Sequence, residues 1–163
     1  MVPWLIAAAI AIILVFAIPV FFGPPYVPTL TPNLNTALDM LELKPGQTLL
    51  DLGSGDGKVL IAAAERGWNA VGIEVSPVLV LVSRLRTLKY RGQVKVLWGS
   101  YFSVDWPPAD GIFGFILQRH MRRVDARIGK WHARPIRLAS FAFHIPGKKP
   151  IVERNGVYLY EYK

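Results

Sequence analysis

The stretch Leu49-Leu-Asp-Leu-Gly-Ser-Gly-Asp-Gly57 joins an acid to three glycines at alternate positions, Gly53, Gly55 and Gly57. An apolar run delivers Asp51 to its end, and the glycines then let the backbone turn sharply and approach a ligand with no Cβ in the way. A second apolar run ends at Glu74, where a carboxylate can accept both hydroxyls of a ribose. An acid, a glycine loop and a second acid in this order describe a ligand site at the carboxyl edge of an open α/β sheet.

Spacing sorts the ligands. A dinucleotide fingerprint needs a third glycine where Lys58 stands, and a phosphate-binding loop needs Lys followed by Ser or Thr after four intervening residues, which is absent. S-adenosylmethionine brings an ammonium and a sulfonium rather than phosphates, so an acid such as Asp51 beside the loop suits it. The competing reading is a structural turn in another α/β protein. The three histidines, His120, His132 and His144, have no metal-ligand spacing, and the chain has no cysteine, so no metal site is expected.

These residues need a scaffold, and the pattern supplies alternating strands and helices. A helix is expected over Asn33–Leu43, with Leu34, Ala37, Leu38 and Leu41 on one face. Strands follow at Thr48–Leu52, Ala70–Val75, Val94–Trp98, Ile112–Leu117 and Arg137–Phe143. Helices are expected over Lys58–Arg66, stopped by Gly67, then from Ser76 and Pro77 to about Tyr90, and over Arg119–Lys130. This succession implies a parallel sheet covered by helices. Ile151–Arg154 and Val157–Tyr162 flank Asn155-Gly156, a pair suited to a type I′ hairpin turn. The short link ahead of Ile151 rules out a parallel crossover, so the last strands join as a shortened antiparallel hairpin.

The N-terminus is a different material. The chain is 52% hydrophobic with a mean hydropathy of +0.32, and no charged side chain occurs before Asp39. Trp4–Phe22 is apolar throughout and long enough to approach the span of a bilayer core of about 30 Å. A buried core helix of this length would be unusual, and a cleaved signal peptide would start with a basic region that is missing here. Residues 1–23 are therefore expected to form one transmembrane helix, and 24–163 one domain. All the Lys and Arg follow the span, so the positive-inside rule places the domain on the cytoplasmic side of a single-pass membrane protein. Four prolines between Gly23 and Pro32 make the connector stiff.

Charge is equally uneven. Residues 1–113 hold eight basic and eight acidic side chains, whereas residues 114–163 hold eleven and three, so the whole net +8 sits in the last fifty residues. Arg119–Arg137 supplies seven of those eleven. It reads as a solvated helix face or as a contact for anionic lipid. No nucleic-acid motif is present.

Taken together, DLGSGDGKVLIAAAERG, AVGIEVSP and the upstream PPYVPT resemble the membrane-associated protein-lysine methyltransferases acting on the c subunit of ATP synthase and the adenine nucleotide translocase. The resemblance runs from about Pro25 to Phe143. It implies a class I, Rossmann-like S-adenosylmethionine-dependent methyltransferase with a membrane-protein substrate. It places Asp51, Gly53, Ser54, Gly55 and Gly57 on the methionine and loop side, Glu74 on the ribose, and Thr29, within a Tyr26–Thr31 segment, over the cofactor. Two departures stand out. Gly99-Ser100-Tyr101 occupies the place after the third strand where an adenine-binding Asp is usual, leaving Ser100 and Tyr101 as contacts. After the fourth strand the acceptor region is mostly apolar, Phe113-Gly-Phe-Ile-Leu-Gln118. No catalytic base is assigned: Tyr26 and Tyr101 serve equally well as packing aromatics. A lipid or small-molecule methyltransferase and a non-catalytic cofactor-binding module remain alternatives to the lysine-modifying enzyme.

Overall fold

The computed structural model describes residues 31–131 and 135–163, together with Pro3, Trp4 and Ile6. The expected span over residues 1–23 otherwise lies outside the described residues, as do Tyr26 and Thr29. Among the described residues no helix is long and apolar enough to cross a membrane.

In chain order the elements are α1 (Thr31–Leu41), β1 (Thr48–Leu52), α2 (Lys58–Glu65), β2 (Asn69–Glu74), α3 (Pro77–Arg86), a 3-10 turn (Leu88–Tyr90), β3 (Val94–Trp98), β4 (Gly111–Gly114), α4 (Gln118–Trp131), β5 (Ile136–Phe141), β6 (Val152–Arg154) and β7 (Val157–Tyr162). The seven strands form one sheet in the order β3-β2-β1-β4-β5-β7-β6. The first five are parallel, while β7 runs antiparallel to both β5 and β6. The expected hairpin is present. Asn155 and Gly156 both take positive φ, 51° and 70°, as a type I′ turn requires.

Alternation along the strands sends residues to two cores. Leu49, Ala70, Val96, Phe113 and Ala139 meet α1, α2 and α3 on one face. Leu50, Leu52, Ile73, Ile112 and Leu138 meet α4 on the other, through Met121, Val124 and Ile128. Among the described residues, that second face carries a single helix. Between β3 and β4 the chain runs as an irregular segment, and Tyr101, Phe102, Val104, Trp106 and Ala109 cover the sheet in place of a helix. Arg127 fastens this segment to α4, donating to the carbonyls of Phe102 at 2.5 Å and Val104 at 2.6 Å.

Four element ends fall two or more residues short of expectation. Strand β4 stops at Gly114 rather than Leu117. Helix α1 stops at Leu41, and Glu42 turns the chain with a left-handed φ of 54°. Helix α3 stops at Arg86, where Thr87 takes φ −92° and ψ 4° as its C-cap and the chain tightens into the 3-10 turn. Strand β5 ends at Phe141, because Ala142 adopts a left-handed φ of 65°.

The basic stretch Arg119–Arg137 is not one face. Arg127 is committed to carbonyls, and Arg137 donates to Glu42 at 2.5 Å and faces Glu161. Arg134 lies outside the described residues, which leaves Arg119, Arg122, Arg123 and Lys130 on the outer side of α4.

Candidate active site

The β1–β2 register sets the site. Asp51 pairs with Gly72, and both strands end at the same edge, Leu52 opposite Ile73 with Glu74 next. The loop then doubles back over β2, with Gly53 and Ser54 both donating their backbone N–H to the Ile73 carbonyl, at 2.9 and 3.1 Å. Gly72 permits this approach, since a Cβ there would lie 2.5 Å from the Ser54 hydroxyl. Gly53 has a φ of 91° and no heavy atom within 4 Å of where its Cβ would be, so the loop's first turn is open to a ligand.

Asp51, Gly53, Ser54, Gly55 and Glu74 are thus brought together. Glu74 is buried and does more than the sequence indicates. Its Oε2 accepts the Gly55 N–H at 2.9 Å and its Oε1 accepts the Ser76 N–H at 2.8 Å, so it holds the glycine loop and the start of α3 at once. Each carboxylate oxygen keeps a second lone pair for a hydroxyl. Gly57 has a different role: at φ 83° it caps α2, and a Cβ would meet the Ser83 hydroxyl at 2.5 Å, so it lets α2 and α3 pack.

Asp51 is 1% exposed, and neither carboxylate oxygen has a hydrogen-bond partner among the described residues. Burial, reinforced by the charge of Glu74, pushes its carboxyl well above the usual carboxylate range. An orphaned acid beside an open glycine turn fits a ligand that carries its own positive charge. That chemistry matches S-adenosylmethionine and no phosphate ligand.

Ser100 and Tyr101 follow β3 at the same edge. The Ser100 hydroxyl accepts the Phe102 N–H at 3.2 Å, which leaves its proton to donate outward. Burial raises the Tyr101 phenol above its ordinary value; Glu74 adds to this, while Arg119 and Arg123 oppose it. A phenol held protonated in this way is a poor base. Trp98 and Val75, which sequence reasoning passed over, close the ends of β3 and β2, with the indole N–H donating to the Val75 carbonyl at 3.1 Å.

On the other side of the loop, Gly114 pairs with Leu52 and with Ser140, so Phe115 and Phe141 follow directly beside the glycine turn. Phe115 sits 5.1 Å from Phe141 and 6.0 Å from Phe143, centroid to centroid. The apolar character expected after β4 is therefore completed by two phenylalanines from β5 and its exit, which only the strand pairing reveals.

Comparison with known proteins fits this geometry. The ANTKMT methyltransferase domain family matches residues 51–152. The chain belongs to that family. It is 30% identical over 128 residues to the Homo sapiens lysine N-methyltransferase of the ATP synthase C subunit, a match covering 77% of this chain and 54% of the relative. It is 27% identical to a protein-lysine N-methyltransferase of Saccharolobus islandicus, covering 77% and 81% respectively. Against the human and Xenopus laevis relatives, the match spans about half or less of their length. Among solved structures, an RNA methyltransferase from Salinibacter ruber in complex with S-adenosyl-L-homocysteine superposes with a TM-score of 0.76 at 26% identity, covering 83% of this chain and 92% of that one. The fold is that of a class I methyltransferase, and its cofactor is S-adenosylmethionine.

Proposed function

We propose that this protein is a membrane-anchored protein-lysine N-methyltransferase whose acceptor is a lysine of a membrane protein. The observation that carries this reading is the family match over residues 51–152, with relatives named for lysine methylation of the ATP synthase C subunit and of adenine nucleotide translocase. The charge-free segment Met1–Leu38 supports the anchor, and the Lys and Arg residues that follow the apolar run support a domain on the cytoplasmic side.

The residues of the site account for the chemistry in a direct way. When bound, the cofactor supplies a methyl group on a positively charged sulfur, which a neutral amine displaces in one step. Asp51 offsets the cofactor's positive charge and Glu74 orients the ribose, fixing the methyl direction at the loop mouth. Phe115, Phe141 and Phe143 wall that mouth with rings rather than water, so an entering amine is desolvated and held neutral. Alignment of the two reactants provides much of the acceleration, and no side chain need act as base, because the lysine gives its proton to solvent before it enters and the methylated amine leaves with the neutral thioether as the other product.

The connector Gly23–Pro32 limits the distance to the bilayer to about 35 Å, at about 3.3–3.6 Å per residue. A lysine on an integral membrane protein then meets a high effective concentration of enzyme. The test is transfer of labelled methyl into membranes lacking this protein, using wild type, an anchorless form and a form with a long Gly/Ser insert after Gly23. Label should enter protein as methyl-lysine, and should fall sharply without the anchor while cofactor binding is unchanged. Label in lipid or RNA instead, or equal transfer by the anchorless form at equal concentration, overturns the proposal.

A further inference from the structure

Helix α3 turns an apolar stripe outward at the edge of the sheet. Val80, Ser83 and Thr87 face the core, while Leu81, Leu85 and Leu88 project at helical spacing on the far side. With Val75 and Trp98 they form a set of large apolar side chains each 50–65% exposed. Among the described residues from Thr31 onward, the other exposed large apolar side chains are Ile151 and Val152, so exposure of this kind concentrates between Glu74 and Gly99.

Along this stretch of chain the charge is of one sign, while acids from elsewhere reach it: Glu65 accepts the Tyr90 hydroxyl at 3.2 Å and Asp56 meets Arg86. From Val75 to Val104 there is no acidic residue, and the basic ones are Arg84, Arg86, Lys89, Arg91 and Lys95. Arg86 is engaged with Asp56 of the glycine loop. Arg84 donates to the Val96 carbonyl at 2.9 Å, which keeps its guanidinium at the outer edge of β3 beside the stripe. Strand β3 is the sheet's edge, so nothing in the sheet lies beyond it.

We infer that this face of α3 and β3 docks on an anionic lipid surface, with Leu81, Leu85, Leu88 and Trp98 entering the headgroup region and Arg84, Lys89 and Arg91 meeting lipid phosphates. Exposed leucines with an indole, set among mainly basic side chains, are the composition of an interfacial helix. A second copy of the chain fits worse, because a twofold contact sets the same patch on both subunits and would bring the like charges together. Nucleic acid has use for the cations but none for the leucines. Val75 and Trp98 adjoin Glu74 and Ser100, so docking in this way sets the rim of the cofactor site against the membrane. The inference goes beyond the acceptor assignment and stands without it.

The absence of cysteine makes a site-specific test available. Leu85→Cys and, separately, Leu81→Cys in the full chain are labelled with an environment-sensitive dye, with Glu153→Cys on β6 at the opposite sheet edge as control. Vesicles of phosphatidylcholine alone are compared with vesicles containing phosphatidylserine. On the anionic vesicles the dye at 85 or 81 should shift to the blue and be quenched by lipid-borne quencher, while the dye at 153 stays in water. Neutral vesicles, or high salt, should give a smaller shift. If the chain floats with vesicles but the dyes at 85 and 81 stay in water, the inference is wrong, since the N-terminal segment alone then accounts for binding. It also fails if the two lipid compositions give equal shifts, if the shift needs RNA or protein rather than lipid, or if the dyes are already shielded without vesicles.

Discussion

Replacing Asp51 by Asn should weaken the cofactor and strengthen the empty protein, two effects of opposite sign from one substitution. The acid is 1% exposed and neither oxygen has a partner among the described residues, so its charge is uncompensated until a cation arrives. Losing the partner of a buried polar group costs about 1–3 kcal/mol, or roughly 5- to 150-fold in Kd for S-adenosylmethionine. The folded protein holds the Asp51 proton to higher pH than the unfolded chain does. The folded state therefore binds more protons, and the stability from this group, full below the unfolded value, is lost as pH rises through the raised one. Asn removes that loss, so the difference in thermal midpoint between variant and wild type should grow in the variant's favour as pH rises. Cofactor binding lowers the carboxyl's pKa again, so it should release a proton. Calorimetric titration in buffers of different ionisation enthalpy, with scanning calorimetry across pH, reads all three quantities on the full chain in detergent. An Asn variant that binds the cofactor as tightly as wild type and melts earlier would show Asp51 to be a structural acid, and the assignment of the site would fall with it.

Glu74→Gln should also weaken the cofactor, by about 1–3 kcal/mol, because an amide cannot accept both the Gly55 and Ser76 N–H groups; titration calorimetry checks it, and unchanged affinity refutes the two-acceptor role. Gly57→Ala should lower stability by about 1–2 kcal/mol from its left-handed backbone alone, plus the contact with the Ser83 hydroxyl at 2.5 Å. Ser83→Ala should by itself be neutral or slightly stabilising, since that hydroxyl is buried without a partner among the described residues, and should rescue part of the Gly57→Ala loss. Denaturant midpoints of the two single variants and the double variant decide this, and simple additivity would exclude the contact.

Much of this protein is written locally. Asp51, the alternate glycines and Glu74 sit at the ends of short apolar runs, and such runs become strands whose carboxyl ends a parallel sheet must align. Ser76-Pro77 and Asn155-Gly156 are short-range signals that needed no tertiary context to be honoured. Helix ends were less legible, because the stops at Leu41 and Arg86 come from a left-handed Glu42 and from the backbone turn at Thr87, choices that many sequences could make. Tertiary structure alone decided what lies across from what. Pairing of β1 with β4 and of β4 with β5 sets Phe115, Phe141 and Phe143 beside the loop, though they are separated along the chain. It splits the basic run Arg119–Arg137 into carbonyl-bound, acid-paired and outward-facing members. It also leaves Leu81, Leu85 and Leu88 uncovered, since β3 became the sheet's edge and no strand or helix among the described residues follows beyond it. Spacing along a chain fixes which residues share a face, but only the order of strands in the sheet determines what that face meets.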